Sequence, residues 1–153
     1  MMSSFLTIFL CFQLLLAVPN PLRAKISAPD SFLLVIVWPN TFCLFQSNPC
    51  QQLPQSFTLH GLWPQAEGSS LKCTSVPMID SILKGNKDDL ERYWPNLKHT
   101  KFDESKKFWI SEWIKHGSCS AKTPANYLSL VFDLMKKIKK FDVKKIFEKH
   151  GKI

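Results

Sequence analysis

The segment Phe108-Trp-Ile-Ser-Glu-Trp-Ile-Lys-His-Gly-Ser-Cys119 combines a helical pattern with side chains that can do chemistry. We predict a helix over residues 103–117, with Asp103 or Ser105 as its N-cap and Gly117 as its stop. Residues three or four positions apart share one side of a helix. One side of this helix therefore carries Trp109, Glu112, Trp113 and His116.

Glu112 and His116 are unusual in such a stripe, because a structural stripe normally has aliphatic residues there. A carboxylate or an imidazole is buried without cost only when it has a partner. Two interpretations are open. The pair forms a hydrogen bond that only stabilises the helix, or it acts on a substrate.

A second stretch, Phe57-Thr-Leu-His-Gly-Leu-Trp-Pro64, alternates apolar with other residues. It predicts a strand over residues 57–63 that ends at a turn before Pro64. An earlier run rich in β-branched residues, 32–37, predicts a buried strand. His60 lies within the later strand, where a lone histidine is more often a core residue than a catalyst.

The remaining pattern predicts loops over residues 39–54 and 68–70 and short helices over residues 78–83, 88–93 and 142–149. Thr123-Pro124 opens a longer helix. Its apolar residues at helical spacing must face a core: Tyr127, Leu128, Val131, Met135 and Ile138. No linker or shift in composition divides the chain, so we expect one domain.

The chain is basic, with 20 Lys and Arg against 12 Asp and Glu and a net charge of +8. Seven lysines lie in residues 136–149. Such a cluster attracts a polyanion such as RNA. It is equally the pattern of a solvated helix face, so it only supports an RNA substrate.

The N-terminus carries an apolar run over residues 5–18, which has the length of a signal-peptide core. We expect residues 1–24 to be a signal peptide, with cleavage after Ala17, Ala24 or Ala28. The mature protein would then be secreted and free of a membrane segment. An uncleaved anchor or a buried helix is the alternative interpretation.

Cysteine usage agrees with secretion, because Cys11 falls in the signal segment and the remaining chain has an even number of cysteines, four. Four cysteines allow three pairings, and spacing alone does not choose among them. A zinc site is the alternative, although the chain has no Cys-x-x-Cys pair. The four are Cys43, Cys50, Cys73 and Cys119.

Cleavage of RNA by transesterification needs a base for the 2′-hydroxyl proton, an acid for the departing 5′-oxygen and a cation for the phosphorane. The two segments supply a complete set of such groups: His60, Glu112, Lys115 and His116. They also resemble the two active-site motifs of T2 ribonucleases. Trp38-Pro-Asn-Thr-Phe-Cys43 and Tyr93-Trp-Pro95 resemble further family positions, and the similarity extends from about Asp30 to the end.

The resemblance implies an α+β fold over residues 25–153, with an antiparallel sheet packed with helices. By matching position, His116 would be the general base and His60 the general acid, with Glu112 and Lys115 stabilising the transition state. Lys115 as a mere surface cation stays open. The resemblance also implies disulfides Cys43–Cys50 and Cys73–Cys119.

Two further positions would contact RNA. Trp63 would pack against the substrate, unless it is simple core, and Gln65 stands where many relatives have a polar residue that helps to select the base. Where relatives usually have Gln, this chain has Val37, which removes a candidate base contact. Family chains also continue well past the third helix, so we expect the C-terminal strands of the sheet to be missing here.

The function implied is that of a secreted, monomeric endoribonuclease that cuts single-stranded RNA through a 2′,3′-cyclic phosphate without metal or cofactor. Basic charge is typical of plant S-ribonucleases. Membership of that group would imply a role in self-incompatibility and a pollen-side protein partner. The alternative is a catalytically silent protein that binds RNA or a partner. A metal-dependent nuclease is the third interpretation, but no acidic cluster suited to Mg²⁺ occurs.

Overall fold

The computed structural model describes residues 28–71, 73 and 78–151, and the expected signal peptide lies outside this range. The strands are β1 (Ser31–Val37), β2 (Thr58–Ala66) and β3 (Ser69–Ser70). The helices are α1 (Pro39–Leu44), α2 (Asp80–Gly85), α3 (Lys87–Tyr93), α4 (Phe102–Lys115), α5 (Pro124–Lys140) and α6 (Val143–Lys149). A single 3₁₀ turn, Gly117–Cys119, follows α4.

The sheet is antiparallel, in the order β1-β2-β3, which confirms the α+β class. Strands β1 and β2 pair with Val35 opposite Gly61, and the register shifts between Val35 and Ile36. Strand β2 buries apolar side chains against the helices, as predicted. Strand β1 is predicted to be buried but is only partly buried, because alternate side chains such as Leu33 (49% exposed) face away from the core. No helix of the described part is both long and apolar enough to cross a bilayer.

The predicted loops are partly wrong. Residues 39–44 form α1, because Pro39 occupies the first helical turn, where its missing N–H costs nothing. Strand β2 continues through Pro64 to Ala66, and the Pro64 carbonyl accepts a hydrogen bond from the Leu71 amide (3.0 Å). Residues 69–70 are a strand, because Glu67 and Gly68 both have positive φ (52° and 74°) and close a tight hairpin turn.

The N-cap predicted for α4 is also wrong. The helix begins at Phe102 after Lys101, which makes no side-chain cap hydrogen bond. Ser105 is already inside the helix, where its hydroxyl donates to the Lys101 carbonyl (3.0 Å). The helix ends at Lys115, two residues before the predicted stop at Gly117.

Helix α5 matches its prediction. The Thr123 side chain accepts from the Asn126 amide, and Pro124 begins the helix. Of the predicted core residues, Ile138 is only partly buried, and four are fully buried: Tyr127, Leu128, Val131 and Met135. The short helices α2, α3 and α6 lie where the sequence predicts them.

Two disulfides join the pairs that the resemblance implies. Cys43–Cys50 closes the segment that follows α1. Cys73–Cys119 ties the turn after α4 to the chain that follows the β2–β3 hairpin. The second bond therefore connects the regions that carry the two sequence motifs.

Candidate active site

Strand β2 is anchored from both sides, and this fixes the position of His60. The Trp94 indole N–H donates to the His60 carbonyl (3.0 Å). The Tyr127 hydroxyl donates to the Leu62 carbonyl (2.7 Å). Burial raises the pKa of this hydroxyl well above the ordinary value for tyrosine. The buried neighbours Leu59 and Leu62 hold the strand in the core.

Helix α4 buries the stripe that the sequence predicts. Trp109, Glu112 and Trp113 are buried, and His116 is 22% exposed just beyond the last helical residue. The Trp109 indole N–H donates to the Trp94 carbonyl (2.8 Å), so Trp94 contacts both motifs. A Cβ at Gly117 would overlap the Trp113 ring, which explains why glycine follows the histidine.

Glu112 lies at the centre of the charged groups. Its Oε1 is 3.3 Å from the Lys115 ammonium, and its Oε2 is 4.0 Å from His116 Nε2. Although Glu112 is only 6% exposed, Oε2 has no hydrogen-bond partner among the described residues. A buried carboxylate oxygen without a hydrogen-bond partner is costly, so such a group in a native protein needs an explanation beyond stability.

Trp63 lies between the two candidate catalytic histidines. Its ring is stacked on His116, with centroids 5.0 Å apart and planes at 26°, and it meets His60 edge-on at 5.9 Å. A Cβ at Gly61 would lie 2.5 Å from Trp63 Nε1 and 3.2 Å from Glu112 Oε2. Only glycine at position 61 lets the indole and the carboxylate approach the strand this closely.

Burial lowers the pKa of His116 below the ordinary value for histidine. Glu112 acts against this effect and raises the pKa, while the positive charges of Lys115 and His60 lower it further. The net direction keeps the imidazole neutral at a lower pH than a free histidine. A neutral imidazole near neutral pH can accept a proton.

A cleft of about 340 Å³ opens beside His60, Glu112 and Lys115. Its apolar wall includes Val37, Phe42 and Phe108. The polar part of its lining includes Gln46, Thr58, Asn96 and Lys98. The cleft thus joins aromatic surface to hydrogen-bonding groups, and it has charged groups at one end.

Apart from Val37, sequence reasoning assigned no role to these wall residues of the cleft. Asn96 and Lys98 directly follow Tyr93-Trp-Pro95, which was the one signal that could have pointed to them. The segment is held by Gln52, whose side-chain amide donates to the carbonyls of Asn96 (2.8 Å) and His99 (3.0 Å).

Gln65 is not among the residues that line the cleft. Its side-chain amide donates to the carbonyls of Trp63 (3.1 Å) and Pro64 (3.3 Å). Of the other predicted site residues, His60, Glu112 and Lys115 line the cleft, while Trp63 and His116 join them through ring and charge contacts. Within residues 28–71, 73 and 78–151, no group of three His, Cys, Asp or Glu side chains could hold a metal ion.

The model of the ribonuclease T2 family matches residues 29–152. The chain belongs to this family. Ribonuclease S-2 of Nicotiana alata is 34% identical over 146 residues, which cover 92% of this chain and 64% of the relative. Ribonuclease S-2 of Antirrhinum hispanicum is 37% identical over 97 residues, 60% of this chain and 41% of that one. The T2 chain described here therefore spans less than two thirds of the length of these relatives.

The T2 fold is also found among solved structures. A crystal structure of an RNase MC1 mutant in complex with 5′-UMP matches with a TM-score of 0.64 and 35% identity, over 72% of this chain and 58% of that chain. The likeness in fold and sequence together supports the assignment of the α+β architecture to the T2 class.

Proposed function

We propose that this protein is a metal-independent endoribonuclease that acts on single-stranded RNA. His116 takes the proton of a 2′-hydroxyl, whose oxygen attacks the adjacent phosphorus. His60 donates a proton to the 5′-oxygen as its bond to phosphorus breaks. The products are a 2′,3′-cyclic phosphate and a new 5′-hydroxyl, so protons and bonds balance.

The observation that carries this proposal is the convergence of two imidazoles on one indole beside a buried carboxylate. His60 is close enough to His116 for its positive charge to lower the pKa of the His116 imidazole. Burial lowers the pKa of His116, which suits the base, because a base must be neutral before the reaction.

Glu112 and Lys115 have complementary parts in the proposed reaction. The Glu112 carboxylate, 4.0 Å from His116 Nε2, stabilises the imidazolium that forms when the base takes its proton. The Lys115 side chain is 59% exposed, and its ammonium, which pairs with Glu112 Oε1 at 3.3 Å, would offset the negative charge of the phosphorane. His60, Glu112 and Lys115 all line one cleft, as this division of roles requires.

The cleft next to these groups fits a nucleobase. Phe42 and Phe108 offer aromatic surface for stacking, and Gln46 and Asn96 can contact base edges. The 5′-UMP bound to the related RNase MC1 mutant supports a nucleotide ligand. Trp63 would contact the substrate at the side not stacked on His116, and Gln65 would act only after leaving its hydrogen bonds to Trp63 and Pro64.

We further propose that residues 1–24 are a cleaved signal peptide and that residues 25–153 form the T2 domain, secreted and monomeric. Two disulfides fit an oxidising compartment. Basic charge and similarity to Ribonucleases S-2, S-6 and S-7 of Nicotiana alata favour a role in self-incompatibility with a pollen-side protein partner. Silencing the gene in the pistil should then allow pollen of the matching type to succeed.

An activity gel that contains RNA tests the enzymatic proposal. The oxidised protein should clear the RNA in the presence of EDTA, and a His60→Ala protein loaded in equal amount should not. RNA that stays undegraded around the band of folded wild-type protein would favour the alternative, a catalytically silent protein that binds RNA or a partner.

A further inference from the structure

A second groove, of about 270 Å³, lies where the start of β2 meets the corner between α5 and α6. Its lining includes the apolar side chains of Phe57 and Ile138 and the cations Lys139 and Lys144. We call it the basic groove. The Phe147 ring of α6 packs on Phe57 (5.6 Å between centroids), which fixes the floor.

The basic groove and the catalytic cleft are lined by adjacent residues at the start of β2. Phe57 lines the groove, and Thr58 lines the cleft. The Phe57 ring contacts Trp38 (5.3 Å between centroids), and Trp38 directly follows the cleft residue Val37. The cleft and the groove therefore adjoin the same stretch of chain, at the start of β2.

The charge of this region exceeds what its own acids neutralise. Residues 136–149 contain seven lysines against Asp142 and Glu148. Asp142 also lines the groove, where it accepts from the Lys145 amide as the N-cap of α6, so it offsets only one of these positive charges. Burial lowers the pKa of Lys139, and the charge of Arg92 lowers it further.

Two lysines of the groove are already oriented by aromatic rings. The Lys144 ammonium lies 5.5 Å from the centre of the Trp38 ring, and it also pairs with Glu148 (3.4 Å). The Lys139 ammonium lies 4.7 Å from the centre of the Tyr93 ring. Cations interleaved with aromatic rings are the usual construction of single-strand binding tracks.

Resting on the proposed function, we propose that the basic groove binds the sugar-phosphate backbone of the RNA strand beyond the cleaved nucleotides. Lys139 and Lys144 each neutralise one phosphate. The enzyme would thus hold long RNA at two places, the cleft and the groove. The groove would add affinity without taking part in the chemistry.

The test measures binding of a 2′-O-methyl oligonucleotide of about 12 residues, which fills both sites and cannot be cleaved. Three proteins are compared by fluorescence anisotropy over a range of salt concentrations. They are the wild type, Lys139→Gln with Lys144→Gln, and a charge-matched control, Lys84→Gln with Lys122→Gln, whose lysines line neither site. A fourth protein, Lys139→Arg with Lys144→Arg, keeps the charge of the groove, and thermal unfolding verifies that all four proteins are folded.

The groove variant should bind on the order of tenfold more weakly at low salt, and its salt slope should fall by about 1.4, the value for two phosphates on a single strand. The control and the arginine variant should match the wild type. A 2′-O-methyl dinucleotide, which reaches only the cleft, should bind all four proteins equally.

Equal affinity of the groove variant and the control for the long oligonucleotide would overturn the proposal. So would an equal loss for the dinucleotide, because the lysines would then act on the cleft. Loss of binding to anionic phospholipid vesicles with RNA binding intact would assign the surface to membranes instead. Since no arm requires cleavage, a protein that binds through the groove but never cuts RNA would refute only the proposed function.

Discussion

Helices α4 and α5 each turn one side toward the core, but the two buried sides differ in chemistry. The buried side of α5 is almost entirely apolar, and its one buried polar group, the Tyr127 hydroxyl, donates a hydrogen bond to the Leu62 carbonyl. The buried side of α4 holds Glu112, whose Oε2 has no hydrogen-bond partner among the described residues and lies 4.0 Å from His116 Nε2. Helix α5 therefore contributes stability, while α4 retains an unfavourable buried charge that a substrate can use.

The largest expected effect is on the proposed catalysis. His60→Ala and His116→Ala should each lower RNA cleavage by about two to four orders of magnitude, the usual contribution of a general acid or base. Initial rates on a fluorescent RNA measure this. His99→Ala is the matched control, because His99 is 45% exposed, pairs with Glu104 and does not line the cleft. Near-normal rates for either folded variant would refute its assigned role.

The substitution Leu128→Ala tests the contribution of α5 to stability. Removing a fully buried leucine should lower the free energy of unfolding by about 2–5 kcal/mol through lost burial and a cavity. Urea unfolding followed by tryptophan fluorescence measures the change. Ile138→Ala, at a partly buried position of the same helix, should cost less. Equal losses at the two positions would mean that the buried side of α5 is not the core described here.

Glu112→Gln separates the two interpretations of the α4 stripe. It should lower cleavage on the order of tenfold, because the proposed imidazolium loses its carboxylate. The free energy of unfolding should change by less than about 1 kcal/mol, since the exposed ammonium of Lys115 contributes little and a buried charge is removed. Strong destabilisation with unchanged cleavage per folded molecule would show that Glu112 only stabilises the helix.

The sequence predicts α5 well because its signals are local. Thr123 caps the helix, Pro124 starts it and the apolar residues repeat at helical spacing. It mispredicts the start of α4, because Lys101 provides no side-chain cap. It also misses α1, because Trp38-Pro39 resembles a strand end as closely as a helix start.

The candidate active site was likewise predictable only in part. His60, Glu112 and His116 could be predicted because each lies in a short segment with a recognisable pattern. The walls of the cleft could not, because Phe42, Asn96 and Phe108 come from three separate segments. A disulfide and the hydrogen bonds from Gln52 hold two of these segments, and such tertiary contacts leave no periodic pattern in the sequence.

The smallest expected effect is a shift in the pH dependence of kcat/KM. His116 must be neutral to accept a proton, and burial lowers its pKa, so the acid limb should lie below the ordinary histidine value of about 6.5. Glu112 raises this pKa, so Glu112→Gln should move the limb to lower pH. Lys115 lowers it, so Lys115→Gln should move the limb to higher pH. Shifts of the same sign in both variants would contradict the arrangement of charges around His116.

The central claim is that two histidines cleave RNA by transesterification without a metal, and the chemistry of the new RNA ends tests it most directly. A short RNA is incubated with the oxidised protein in EDTA, and the masses of the fragments are measured by mass spectrometry. The account predicts 2′,3′-cyclic phosphate ends opposite 5′-hydroxyl ends, and no such ends with His60→Ala. Fragments with 5′-phosphate and 3′-hydroxyl ends, or cleavage that stops in EDTA, would contradict it.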